Sequence, residues 1–249
     1  MRALRIFLIV VVIFGGLFVI ADRVAVNFAE GQAADKLKTT ENLASTPDVS
    51  IKGFPFLTQV VSGQLDDVQV GIKDYDASTG STGGSGTSTI RIDDLKADMK
   101  GVEFSGDYSS ATAASATGTA TISYAELLKT AKAQPTVVAP GVTAQVVGLS
   151  DGGNGKIKVA VKATVLGTTL PEPVYVLSTV TASGDTVKVH ADALPKFGGV
   201  QLAETRIRAI TDFEQKIDQL PGGIQLDKVV AAQDGVEITV KGSNVKLAG

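Results

Sequence analysis

Apolar and polar residues alternate along much of the second half of the chain. Between Lys156 and Val165 every second residue is apolar, and the intervening residues are mostly Lys or Thr. Thr186 to Ala193 alternates in the same way, with the single histidine, His190, on the polar side. A period of two is typical of a strand with one face buried and one face in water. Such one-sided strands favour an antiparallel sheet.

Two strand-like runs in the first half of the chain change phase partway along. In Val60 to Ile72 the apolar residues occupy odd positions before Asp66-Asp67 and even positions after it. Ile90 to Met99 changes phase at Asp93-Asp94. An extra residue in a strand moves every later side chain to the opposite face and bends the strand. The two changes therefore predict a strongly curved sheet, unless each Asp pair is a turn between two short strands.

Three segments carry helical patterns. Asp22 to Asn42 repeats small apolar residues every three or four positions, with Asp22 as N-cap and a proline at position 47 after its end. Ser123 to Glu126 is a capping box that opens a helix to about Ala133. A third helix is predicted from Leu202 to about Phe213. The expected fold is α+β, with a strongly curved antiparallel sheet wrapped around one or two helices.

Two glycine-containing segments are predicted to connect strands. Asp76 to Ser88 is almost entirely Gly, Ser and Thr, so it predicts a flexible loop between two strands. It lacks the Lys-Ser/Thr and the following helix of a phosphate-binding loop. Asp234-Gly235 predicts a hairpin turn. Residues 22–249 are accordingly predicted to form a single domain.

The first 21 residues predict a membrane segment. Arg2 and Arg5 precede sixteen uncharged residues, Ile6 to Ala21. This run is slightly shorter than the roughly 20 residues that cross a bilayer, although Arg5 can extend it by snorkelling. Val19-Ile20-Ala21 also resembles a signal-peptidase site. Residues 1–21 are thus a signal anchor or a cleaved signal peptide. In both cases the domain faces outward, and it is secreted if cleavage occurs.

Composition excludes several functions. The net charge is −3 and the pI is about 5.3, which argues against nucleic acid as a partner. The chain has no cysteine and one histidine, so thiolate sites, histidine-clustered metal sites and most catalytic triads are excluded. Neighbouring carboxylates on a strand point to opposite faces, so neither Asp pair converges on one atom. The sequence therefore predicts no catalytic residue, no metal site and no cofactor.

The stretch Gly53-Phe54-Pro55-Phe56-Leu57-Thr58-Gln59 places two phenylalanines around a proline. Proline restricts its own φ and favours an extended conformation at Phe54. Two interpretations stay open, a core anchor at the start of a strand or the wall of a lipid-sized cavity. If the segment is extended, Phe54 and Phe56 face the same way and Leu57 faces the opposite way. Under the cavity hypothesis, Phe56 contacts lipid.

The run GFPFLTQ, followed by Val68-Gln69-Val70, resembles the signature of the LmeA-like phospholipid-binding family. This is a group of actinobacterial envelope proteins related to the tubular lipid-binding proteins. A second, looser match begins at Leu220-Pro221-Gly222-Gly223-Ile224. The resemblance implies a tubular lipid-binding-like fold with phospholipid or a related acyl-chain lipid as ligand. The residues then expected to contact lipid are Phe54, Pro55, Phe56, Leu57, Val68, Val70, Leu220 and Ile224.

Three functional hypotheses follow. The first is non-enzymatic lipid binding in an apolar cavity, supporting lipid transport or the assembly of envelope lipids and glycolipids. The second is a structural or adhesion domain of the envelope with a filled core and no ligand. The third is an envelope enzyme whose site matches no motif. The predicted partners are lipid and, through residues 1–21, the cytoplasmic membrane. The sequence leaves the lipid and the oligomeric state open.

Overall fold

The computed structural model of the chain describes residues 2–79, 88–107, 110–130, 135–184, 186–193, 208, 211–216 and 223–248. Its helices are α1 (Arg2–Thr40), α2 (Phe56–Ser62) and α3 (Tyr124–Thr130). Its strands are β1 (Asp48–Lys52), β2 (Gln64–Thr79), β3 (Ser88–Phe104), β4 (Ala111–Ser123), β5 (Thr136–Ala139), β6 (Val142–Asp151), β7 (Lys156–Val165), β8 (Thr168–Thr169), β9 (Val174–Ser183), β10 (Thr186–Ala191), β11 (Phe213–Lys216), β12 (Ile224–Ala231) and β13 (Gly235–Ala248).

Six strands form sheet A, in the order β1-β2-β3-β4-β13-β12. Every neighbouring pair in this sheet is antiparallel, and the sheet is strongly curled. The predicted fold class is therefore confirmed. β2 and β3 stay paired as far as Thr79 and Ser88, so both strands extend into the predicted loop. Residues 80–87 of that loop lie outside the described residues.

Sheet B contains the remaining strands, in the order β11-β10-β9-β7-β6-β5, with β8 beside β7. β7 has the predicted bounds, and its apolar positions from Ile157 to Ala163 are buried. The hairpin predicted at Asp234-Gly235 joins β12 to β13 in sheet A. The predicted helix from Leu202 lies mostly outside the described residues. Arg208 and Thr211 within it are helical, and β11 begins at Phe213, close to the predicted end.

The first core cluster joins the two sheets. Its buried side chains come from α3, from five strands of sheet B and from β12 and β13 of sheet A. Tyr124, at the start of the predicted helix α3, donates a hydrogen bond from its hydroxyl to the Ala232 carbonyl at 2.7 Å. Burial, with a smaller contribution from the Asp151 carboxylate, raises the pKa of Tyr124 to about 12. The phenol therefore stays neutral and keeps this hydrogen bond at physiological pH.

The second core cluster lies between sheet A and the other two helices. It consists of Val26, Phe56, Leu65, Val102, Ala111 and Ala113. Partly buried side chains from α1, α2 and the strands pack around it. Sheet A therefore has a helix-covered cluster toward one end and the first core cluster toward the other.

Helix α1 does not begin where the sequence predicted. The helix runs without a break from Arg2 to Thr40, so the predicted N-cap role of Asp22 within this helix is wrong. The physical reason is that residues 3–21 contain no proline, and Gly15-Gly16 weakens a long helix without ending it. The apolar part is exposed and has the length and mean hydropathy, 2.8, of a membrane span. The predicted N-terminal apolar helix is confirmed.

The two Asp pairs are neither bulges nor turns. β2 and β3 run through them, and the register is unchanged between Leu65↔Val102 and Asp67↔Lys100. The pairing skips Asp66 and the residue opposite, Gly101, whose φ is +58°. Leu65 and Val68 nevertheless pack in the same cluster although they are three residues apart. The interruption thus contains a left-handed residue on β3, and no extra residue is inserted in either strand.

A second interruption has the same form. The ladder skips from Lys73↔Asp94 to Tyr75↔Ile92 with the register preserved. Asp74, in the skipped position, has a φ of +53°. Asp is among the non-glycine residues that tolerate this region best. The phase changes in the sequence thus mark real interruptions of the ladder, although their predicted mechanism was wrong.

Gly235 supplies a test of how tightly β13 packs on β4. A Cβ at Gly235 would lie 2.1 Å from the Ile122 carbonyl oxygen, whereas a Cβ at Gly106 would meet no atom within 4 Å. We expect Gly235→Ala to lower the free energy of unfolding by about 1–3 kcal/mol, because backbone must move. Denaturant unfolding of the full-length protein in detergent measures the change. Gly106→Ala is the control, and equal stability of the two variants would contradict the packing.

Candidate functional site

Asp22 is the first charged residue after the apolar run of α1, and it is fully buried. Its Oδ1 accepts a hydrogen bond from the Leu57 N–H at 2.8 Å, and its Oδ2 accepts one from Arg23 Nη2 at 2.5 Å. Leu57 lies in the first turn of α2, where Pro55 occupies the N-cap without a side-chain hydrogen bond. Asp22 therefore caps α2 from another helix, where the helix dipole favours a carboxylate.

Gly53 and Gln59 fix the turn that precedes α2. Gly53 has a φ of +97°, and a Cβ there would lie 2.5 Å from Gln59 Nε2 and 2.8 Å from Asp66 Oδ2. The Gln59 side chain is buried, and its Oε1 accepts a hydrogen bond from the Asp66 N–H at 2.8 Å. Only glycine combines this φ with this close approach. The first and last residues of the GFPFLTQ run are thus explained by local packing.

The two phenylalanines have opposite environments. Phe56 is 6% exposed and belongs to the second core cluster, whereas Phe54 is 57% exposed. The Arg23 guanidinium lies over the Phe54 ring, 5.3 Å from its centre. The segment is not extended, because helix α2 begins directly after Pro55, so the two rings do not face the same way. The predicted strand from Val60 likewise begins only at Gln64.

A strip of half-buried apolar residues crosses the middle of sheet A. The register places Val70 opposite Ala97, Ile72 opposite Leu95, and Leu95 opposite Ala120. Residues directly opposite each other in antiparallel strands share a face. None of the five belongs to either core cluster among the described residues. This middle strip therefore joins the two clusters without being filled like them.

The predicted lipid-contact residues are distributed over several environments. Val70 lies in the middle strip, and Val68 packs against the second core cluster. Leu57 also packs against that cluster, and Ile224 is half-buried on β12. Leu220 lies outside the described residues. The structure thus brings Val68 and Val70 together on the apolar face of sheet A, while Phe56 is one of the side chains that fill the adjoining cluster.

Most of the middle strip was not predicted as a site. Ile72, Leu95, Ala97 and Ala120 were not selected, although a signal for them exists in the sequence. After the phase change in each strand, apolar residues fall at every second position, as in Val68, Val70 and Ile72. Pairing the two runs would have placed them on one face. Asp22 offers no such signal, since its partner lies 35 residues away.

Two clefts adjoin sheet A. A cleft of about 330 Å³ lies at the end of the middle strip, lined by Ile72, Tyr75 and Leu43 together with polar residues that include Glu41, Asp74 and Asp76. A second cleft, of about 400 Å³, is lined mainly by polar residues of β1 to β4, including Lys96 and Asp98, and also by Val70 and Ala97 of the middle strip. Both volumes lie in the lower part of the range for small-molecule sites, about 300–1,000 Å³. Ile72 of the middle strip is part of the lining of the first cleft.

The single histidine belongs to a polar cluster on sheet B. His190 Nδ1 lies 2.8 Å from Asp212 Oδ2, and the Ala191 N–H donates to Asp212 Oδ1 at 3.1 Å. Burial by itself raises the pKa of Asp212, but hydrogen bonds from Ala191, Thr211 and His190 lower it overall. The cluster holds β10 to the residues before β11. In the described part of the chain, no group of three His, Asp or Glu side chains could hold a metal ion.

Comparison with known proteins identifies one family. The family model described as LmeA-like phospholipid-binding matches residues 20–241. This range includes α2 and its cap, the middle strip and both core clusters. No curated protein and no solved structure matches the chain.

Removal of the Asp22 carboxylate tests the capping contact. We expect Asp22→Ala to lower the thermal unfolding midpoint of the full-length protein by several degrees, because the Leu57 N–H and the Arg23 guanidinium lose their acceptor. Asp22→Asn should restore part of the loss, since its amide oxygen can accept from Leu57. Asp35→Ala, an exposed carboxylate on the same helix, is the matched control. A midpoint equal to that of Asp35→Ala would refute the capping role.

Replacing the two phenylalanines with alanine should cause unequal losses of stability. Phe56→Ala empties a position in the second core cluster, so we expect a loss of about 3–5 kcal/mol in the free energy of unfolding. Phe54→Ala removes only an exposed ring and its contact with Arg23, worth about 0.5–1 kcal/mol. Urea denaturation followed by circular dichroism compares the two. Losses of the same size would contradict the different burial of the two rings and favour an extended segment.

Proposed function

Since the chain belongs to the LmeA-like phospholipid-binding family, we propose that it holds one acyl chain of a phospholipid along the middle strip of sheet A. Binding is non-enzymatic in this proposal. The observation that carries it is the position of the strip, between two filled clusters and beside the cleft at Ile72. Covering such a half-buried apolar surface with hydrocarbon removes it from water and is therefore favourable.

The energetics of the strip suit an acyl chain. Each methylene group that leaves water contributes about 0.8 kcal/mol, so a few methylenes supply several kcal/mol. The side chains of Ala97 and Ala120 are small, and they leave depth between the larger Val70 and Leu95. Val68 continues the same face toward the second core cluster. The strip therefore offers a shallow apolar groove that follows the curvature of the sheet.

The N-terminal helix supports an attachment to the cytoplasmic membrane. Residues 3–21 are exposed and uncharged apart from Arg5. Arg2 and Arg5 at the start favour retention of that end in the cytoplasm. The domain then lies in the cell envelope beside the outer leaflet. A lipid-binding domain tethered there is suited to lipid transport or to the assembly of envelope lipids.

A charge in the middle strip should remove the lipid. We expect purified full-length protein to yield phospholipid on solvent extraction, and Val70→Asp to reduce the recovered amount at least fivefold, because burying an uncompensated carboxylate against hydrocarbon is costly. Mass spectrometry of the extract measures the amount. Thr119→Asp is the matched control, since Thr119 lies on the opposite face, paired with Lys96.

A second variant separates loss of lipid from loss of fold. Ala97→Phe fills the strip with an apolar ring, and we expect it to reduce lipid recovery without lowering the thermal unfolding midpoint of the lipid-free protein. Undiminished lipid recovery from folded Val70→Asp and Ala97→Phe proteins would refute the strip as the binding surface. Lipid-free wild-type protein would refute the proposed function itself.

A further inference from the structure

We propose that the domain rests on the outer leaflet of the membrane that α1 crosses, with Phe54 and Val61 inserted in the phospholipid headgroup layer. The contact surface comprises Arg23, Val24, Phe28, Phe54 and Val61, and it is called the membrane-facing end below. The inference rests on the membrane attachment proposed above. It adds where the lipid-binding domain sits and which side chains touch the bilayer.

The apolar helix and α2 are rigidly connected. α1 continues through Ala21 and Asp22 without interruption, so Asp22 lies only about 1.5 Å farther along the axis than the last residue of the apolar run. Its carboxylate binds the first turn of α2 directly. α2 therefore begins at the level of the membrane boundary, with no linker that could lift it away.

The apolar run of α1 is shorter than the hydrocarbon core of a bilayer. Sixteen residues from Ile6 to Ala21 rise about 24 Å, while the hydrocarbon core is about 30 Å thick. On the outer side the apolar surface continues, because Val24 is 63% exposed and Phe28 is 69% exposed. These residues are one turn apart on the side of α1 away from sheet A. The bilayer boundary thus reaches past Asp22 and includes the start of α2.

The side chains at that level suit a phospholipid headgroup layer. Phe54 is more than half exposed, and Val61 is 87% exposed on the outward side of α2. α2 has seven residues and is about 10 Å long, so Val61 stays close to the boundary. Aromatic rings concentrate in membrane interfaces, and arginine pairs well with phosphate there. The Arg23 guanidinium over the Phe54 ring presents both groups together.

This arrangement also sets the distance between the middle strip and the bilayer. Phe56, adjoining the membrane-facing end, belongs to the second core cluster, and Val68 packs against that cluster. Val70 begins the middle strip two residues farther along β2, about 7 Å away. The strip therefore starts a short distance beyond the headgroup layer. A lipid leaving the leaflet reaches it along the apolar face of sheet A.

Tryptophan fluorescence tests the contact directly, because the chain contains no tryptophan. Phe54→Trp and Val61→Trp each introduce a single reporter into the full-length protein, reconstituted in phosphatidylcholine–phosphatidylglycerol vesicles. We expect lipids that carry a nitroxide near the headgroup to quench at least half of the emission in both variants. Aqueous acrylamide should quench it severalfold less than it quenches free tryptophan.

Tyr175→Trp is the matched control. Tyr175 is 59% exposed, and Lys158 Nζ lies 5.7 Å from its ring centre, so it resembles the Arg23–Phe54 pair but belongs to sheet B. We expect acrylamide to quench this reporter and the labelled lipid to leave it unchanged. Phe54→Trp and Val61→Trp reporters that behave like Tyr175→Trp would overturn the inference.

Flotation separates this inference from the proposed function. The full-length protein should rise with the vesicles in a density gradient, and failure to rise would overturn both the membrane attachment and the seating of the domain. Protein that floats while the Phe54→Trp reporter remains in water would overturn the seating alone. Lipid recovery from the wild-type protein tests ligand binding independently of both outcomes.

Discussion

The Asp22 carboxylate determines how the long N-terminal helix is joined to the rest of the protein. A buried carboxylate is tolerated only when its oxygens are satisfied, and here the Leu57 N–H and the Arg23 guanidinium satisfy them. The same contact supplies the cap that Pro55 cannot provide for α2. Each partner would be left unsatisfied without the other. A second hydrogen bond, from the Ile51 N–H to Glu30 Oε1 at 2.7 Å, fixes α1 against β1 two turns later.

Sheet A combines strong curvature with an unchanged register. Left-handed residues, Gly101 on β3 and Asp74 on β2, lie at the two interruptions, where no residue is inserted and the register is preserved. β4 contributes mostly small side chains to that face. At Gly118 a Cβ would lie 2.9 Å from Val240 Cγ2, so glycine leaves room for the side chain of its cross-strand partner on β13. Curvature and small side chains together leave the middle strip shallow and half-buried.

The sequence predicted those features that depend on local periodicity. β7 has the predicted bounds because its alternation is regular and one face is fully buried. The predicted start of α1 was wrong. A potential cap residue such as Asp22 does not interrupt a helix when helix-favouring residues flank it on both sides. Asp22 instead meets a partner that folding brings from far along the chain. Phe56 points into the core because a helix, which no period-two pattern reveals, begins at that position.

The residues of the GFPFLTQ segment have two different roles. Gly53, Phe56 and Gln59 hold the turn and fill the second core cluster, so their contribution is to stability. Phe54 contributes little to that core, since most of its ring is exposed. A large apolar ring in water beside an arginine is well suited to a partner that offers both hydrocarbon and anionic groups. A phospholipid leaflet offers both, and the helix that carries the arginine has the length and hydropathy of a membrane span.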